Sequence, residues 1–197
     1  MSAPRARVLL TALAVAVVAP ACGKTNPSPI SDDVVIARAR AAIGPFKTAL
    51  REALAGAIAD GPQAAVDICS KRAPELSRAA SHDGVTVGRS ARKLRNQANA
   101  PKPWLEPVID RLSRAPHESD AHEVVTLPGG RRGYAEAIWM GTPCLLCHGE
   151  NVAPAVAERV RERYPDDAAR GFKVGELRGV FWAELDPEAL EPVDAGR

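Results

Sequence analysis

From Ser31 onward the apolar positions recur at three- and four-residue spacing. Ile36, Ala39, Ile43, Phe46, Leu50, Leu54 and Ile58 fall on one helical face. Ser31 followed by Asp32 and Asp33 marks the helix start, a cap and then acids near the positive end of the dipole. Gly44-Pro45 is expected to kink or split this run, and "DGP" at 60–62 ends it. Pro62 suits the first position of a second helix over 63–81, with Ala65, Cys69, Ala73, Leu76 and Ala80 on one face. That places Cys69 on the core side of its helix.

The pattern then changes. "DGVTVGRS", 83–90, is β-branched and bounded by glycines, and predicts a strand. A helix is predicted over 104–114. Two strands over 122–139 flank a Pro-Gly-Gly turn. A helix follows over 152–165, and a final strand over 176–185. Helices first, then a few antiparallel strands interrupted by helices, make an α+β domain. Residues 186–197 carry no such pattern and are expected to be a disordered tail.

The first 21 residues read as an export signal. A basic "MSAPRAR" precedes an apolar run, "VLLTALAVAVVA", that is too short to span a bilayer comfortably. It ends in "APAC", like a lipoprotein processing site with Cys22 as the lipidated residue. Ala19 stands where leucine is usual, and the alternative is an ordinary signal cut after Ala21. Residues 22–33 then form a flexible tether, rich in Pro, Ser and Asn, before the folded domain at 34–185. Arg5 and Arg7 account for the whole formal charge of +2, so the remainder is balanced. That balance, with no block of like charge, argues against a nucleic-acid partner. Localisation is expected to be periplasmic, with membrane attachment through the N-terminal lipid.

One stretch carries chemistry: "GTPCLLCHGE", 141–150, with the spacing C-x-x-C-H at Cys144, Cys147 and His148. This is the attachment signature of one covalent haem c. Two thiols add to the porphyrin vinyl groups, and the adjacent imidazole reaches the iron. Rival uses of C-x-x-C fit less well. A thioredoxin-like redox pair needs a βαβ context, and a zinc site needs two further clustered ligands. For the other face of the iron the residues leave several candidates: Cys69, Met140, His82, His117 and His122.

Four stretches, "AAVDICSKRAPELS", "RSARKLRNQANAPKPWLEPVI", "PCLLCHGE" and "GFKVGELRGVFWAEL", resemble a family of exported PAS-like haem domains. That family occurs alone as a cyanobacterial c-type cytochrome and as the periplasmic sensor part of histidine kinases and chemoreceptors. The resemblance spans about residues 34–185. It implies a PAS-like antiparallel sheet with long N-terminal helices packed on it. It also implies His148 and Cys69 as the two axial ligands of the iron. The stretch with Arg95, Asn96, Asn99 and Pro101 matches the family's Arg-Asn-x-x-Asn before proline. Arg92 or Arg95, with Asn96 beside them, are the candidate propionate contacts, since a guanidinium suits a carboxylate. The competing reading is a solvated basic helix end capped by asparagine.

A His/Cys pair closes both faces of the iron, and an anionic sulfur donor favours the ferric state. The expectation is therefore electron transfer or redox and gas sensing rather than catalysis, through a redox partner protein or a membrane sensor in the periplasm. The alternative is a peroxidase-like enzyme with an open distal face, for which His82 or His122 would have to supply acid–base groups.

Overall fold

The computed structural model describes residues 30–117 and 120–191. The expected signal, the Cys22 lipidation site and most of the tether lie outside them. The chain begins with two long helices, α1 (Asp32–Ala59) and α2 (Pro62–Ala79), which pack as a hairpin. Gly61, at φ 115°, makes the turn that only glycine enters freely, and Pro62 opens α2. The rest of the chain supplies strands β1 (Val85–Ser90), β2 (His122–Thr126), β3 (Arg132–Trp139) and β4 (Leu177–Leu185). Helices α3 (Leu105–Arg114), α4 (Leu145–His148), α5 (Pro154–Arg163) and α6 (Pro187–Leu190) interrupt and close them. The strands form one antiparallel sheet in the order β1-β4-β3-β2. The α+β class, with the N-terminal helices laid on an antiparallel sheet, is therefore as the sequence predicts.

The two sheet faces divide the core. On one, Ile43, Phe46 and Leu50 of α1 meet Val87, Tyr134, Phe181 and Leu185. Phe46 packs edge-on against Phe181, with ring centroids 5.5 Å apart. On the other face, Leu105, Val108, Ile109 and Leu112 of α3 pack on Ala135 and Val180. Odd and even positions of β4 thus serve opposite layers, the period-two pattern of a sheet covered on both sides. Beneath α1, the buried Tyr134 hydroxyl donates to Glu136 at 2.9 Å and accepts from Arg40 at 3.0 Å. Lys47 reaches the same carboxylate at 2.5 Å.

Two local expectations are corrected. Pro45 does not split α1, which runs unbroken for 28 residues. Pro45 removes one backbone donor, but the burial of Ile43, Phe46 and Leu50 against the sheet holds the turn together. The tail also packs further than expected. Pro187–Leu190 is helical, Leu190 is buried in the α1 core, and Arg38 of α1 donates to the Glu191 carbonyl.

α1 changes task along its length. Its first half covers the sheet, whereas Leu54 and Ile58 near its C-terminus line a cavity. That cavity organises the rest of the molecule.

Candidate haem-attachment site

A 3₁₀ turn at Thr142–Cys144 leads into the single helical turn α4, which carries Cys147 and His148. Pro143 starts the turn with φ pre-set, and Gly149 ends it where any side chain would strike the Leu145 carbonyl. Cys144 is exposed, while Cys147 and His148 are half-buried, and all three line the cavity. Burial raises the Cys147 thiol above its ordinary value.

The backbone beyond α4 is tied to a second segment. Phe172 N–H donates to the His148 carbonyl and Gly171 N–H to the Gly149 carbonyl. That segment also presents the Ala169 carbonyl 2.8 Å from His148 Nδ1. A carbonyl only accepts, so Nδ1 carries the proton and Nε2 keeps its lone pair. Burial and the cations of Arg95 and Arg178 push the imidazole pKa down to about 3. His148 is thus a neutral imidazole of defined tautomer, the form that ligates metals.

The cavity measures ≈ 700 Å³, within the range of about 300–1,000 Å³ usual for cofactor sites. Of the five candidates for a second axial ligand, only Cys69 and Met140 belong to its lining. Cys69 is a free thiol, half-buried on α2. Burial raises its pKa, and the cations of Arg89, Arg95 and Arg178 pull against that rise. Met140 is buried in a small cluster with Ala169, Phe172 and Leu145, alongside the attachment turn. His82 is paired with Asp83 at the surface, His117 meets the Trp139 ring edge-on, and His122 contacts Arg40 and the Tyr134 ring. Among the described residues, no three His, Cys, Asp or Glu side chains are grouped to hold a metal ion between them.

The arginines differ from the sequence expectation. Arg92 faces away from the cavity. It grips Asp110 of α3 through two hydrogen bonds of 2.9 and 2.7 Å, beside Glu106, so its charge is spent at the surface. Asn96 lines the cavity, but its side chain accepts from the Ala98 N–H and caps the turn at 97–99. Arg95 also lines the cavity, and it is committed to protein groups. It pairs with Asp167 at 3.1 Å and donates to the carbonyls of Cys147 at 2.6 Å and Ala169 at 3.3 Å. One guanidinium therefore clamps α4 to the very residue whose carbonyl fixes the His148 tautomer.

The model of the Tll0287-like family matches residues 27–185. The chain belongs to that family. Among solved structures it is similar to the cyanobacterial heme-protein Tll0287, with 29% identity over 61% of this chain and 72% of that one, and a TM-score of 0.48. None of the curated proteins matches.

In this Tll0287-like chain the lining residues that the sequence reading missed include Arg89, Arg178 and Tyr164. Arg89 sits two positions after the buried Val87 on β1, on the same face by strand alternation. An arginine in phase with a core position was the available signal. Arg178 gave none. Ile138 pairs with Gly179 and Trp139 with Leu177, so Arg178 is the extra residue of a β-bulge. The bulge breaks the alternation of β4 and re-aims its side chain.

Proposed function

We propose that this protein is an exported, PAS-like c-type haem protein that transfers electrons or senses redox state or a small gas, and that it is not an enzyme. Cys144 and Cys147 would hold the porphyrin through two thioethers. His148 Nε2 and the Cys69 sulfur would be the axial ligands. The observation that carries the reading is the pinned imidazole: Nδ1–H on the Ala169 carbonyl leaves Nε2 as a free donor in a cavity shared with both attachment cysteines and a third thiol. Membership of the Tll0287-like family supports it.

When bound, the haem would supply a one-electron ferric/ferrous couple. The chain's own residues set its surroundings. Apolar side chains of α1 and α2, such as Leu54, Ile58 and Val66, exclude water from one side of the cavity. The Arg95–Asp167 pair holds α4 in place, and the Ala169 carbonyl orients His148. Burial raises the Cys69 pKa and the lining arginines oppose that rise; an anionic sulfur donor on the iron would favour the ferric state. With His82 and His122 outside the lining, the cavity offers no histidine besides His148 for acid–base work, which supports a carrier or sensor over a peroxidase. We further propose periplasmic localisation with lipidation at Cys22, and a redox protein or membrane sensor as partner.

The test is the ferric electron paramagnetic resonance and visible spectrum of matured protein beside Cys69→Ser. Low-spin thiolate features are expected in the parent and lost in the variant. An unchanged spectrum would remove Cys69 from the iron and leave Met140 as the lining residue able to ligate there.

A further inference from the structure

Resting on the haem reading above, we propose that Arg89 and Arg178, rather than the sequence-predicted Arg92 and Arg95, bind the two propionate carboxylates of the porphyrin.

The charge inventory of the cavity points there. Five arginines and Lys102 line it; Arg51 and Arg78 are exposed to solvent and Lys102 pairs with Glu184, which leaves Arg89, Arg95 and Arg178 as the half-buried guanidiniums. Arg95 is neutralised by Asp167, whose side chain is 1% exposed. The Arg89 side chain makes no hydrogen bond or ion pair with the described residues, although its backbone pairs with Phe181. Arg178 donates once, from one terminal nitrogen to the Lys93 carbonyl at 3.1 Å. Its Nε is buried with no acceptor. Burying a cation without a counter-charge is costly, and burying an N–H without an acceptor adds to that cost. Each guanidinium also repels the others: burial and the charges of Arg95 and Arg89 bring the Arg178 pKa down to about 10. Two half-buried positive charges in the cavity, Arg89 and Arg178, are therefore left without a carboxylate.

A haem c balances this inventory. A ferric porphyrin core carries one positive charge, which a cysteine thiolate cancels. What remains is the pair of propionates, two anions for the two half-buried cations. Each propionate is a planar acceptor matched to a guanidinium fork. The placement is built into the sheet. Arg89 pairs opposite Phe181 on β1, and the bulge at Ile138/Trp139 turns Arg178 of the neighbouring β4 toward the same cavity. Gly179 follows Arg178 and lets the two strands approach closely at that point. Both cations thus stand on adjacent, hydrogen-bonded strands rather than on loops, which fixes their spacing.

The test uses matured holoprotein with Arg89→Gln, Arg178→Gln and the matching lysine variants. Resonance Raman propionate-bending bands are read first, and the midpoint potential second. Each glutamine variant is expected to shift the propionate bands. It is also expected to lower the reduction equilibrium constant about tenfold, ~59 mV for a one-electron couple, because a removed cation no longer opposes the oxidised state. The lysine variants keep the charge and are expected to restore most of the potential but not the bands, because an ammonium lacks the fork. Arg92→Gln is expected to change neither. Propionate bands at parental positions in both glutamine variants would overturn the assignment, whatever the potential does. The intact mass separates the two layers of the claim. Porphyrin present with unmoved bands defeats this assignment alone, whereas protein without added porphyrin defeats the haem reading and this assignment with it.

Discussion

Arg95→Ala is expected to cost about 3–5 kcal/mol of folding stability, the usual penalty for stripping one partner from a buried ion pair. The Arg95 side chain is 11% exposed and that of Asp167 only 1%. Without Arg95, the Asp167 carboxylate keeps the Arg170 guanidinium at 2.7 Å and the Ala169 N–H at 3.0 Å, and loses its most buried counter-charge. The carbonyls of Cys147 and Ala169 lose their shared donor at the same time. Urea unfolding should show the loss as a lower midpoint with an unchanged slope. A difference under about 1 kcal/mol, the size expected of an exposed pair, would mean the clamp does not hold the attachment turn. The pH dependence has a defined sign. Burial pushes the Asp167 carboxyl up, but hydrogen bonds from Arg95 and Arg170 outweigh it and hold the pKa below its ordinary value. Its stabilisation is therefore complete above the ordinary carboxylate range and lost as the pH falls through the depressed folded value. In Arg95→Ala that acid limb should move to higher pH.

Gly179→Ala is expected to destabilise the fold by about 3 kcal/mol, the upper end for overpacking. A Cβ there would overlap the Ser90 carbonyl oxygen and come within 2.9 Å of Ala91 Cβ. The obstacle is backbone of the paired strand, so it cannot swing aside. The strands would have to part where β1 carries Arg89 and β4 carries Arg178. The predicted signature is thus a stability loss together with a disturbed haem spectrum. Gly56→Ala on α1 is the contrast: a Cβ there meets nothing within 4 Å. Removing a helix-interior glycine should stabilise by up to about 1 kcal/mol. Equal effects from the two substitutions would show that the β1–β4 approach is looser than described.

What could be read from the sequence follows from how local each signal is. C-x-x-C-H is contained in one turn of chain, so Cys144, Cys147 and His148 were legible from spacing alone. The two long helices were legible because their apolar faces repeat many times. Cys69 lay on the expected face, and only the topology that sets α2 beside α5 shows that it lines the cavity. Arg92 and Arg95 look alike in sequence. One reaches Asp110, 18 positions away, and the other Asp167, 72 positions away, and no local pattern separates those outcomes. Arg178 was invisible because a bulge is a mismatch between two strands and has no signature in either one. Pro45 misled because helix propensity gives way to tertiary burial when the flanking residues are as deeply packed as Ile43 and Phe46.

The central claim, a porphyrin bound covalently to Cys144 and Cys147, is tested most directly by intact mass. The chain should be produced in a host that attaches haem to exported proteins, beside a Cys144→Ser/Cys147→Ser double variant. The account predicts the mass of one haem on the parent chain, retained under denaturing conditions and absent from the double variant. A parent chain that matures in that host at its bare polypeptide mass would contradict it.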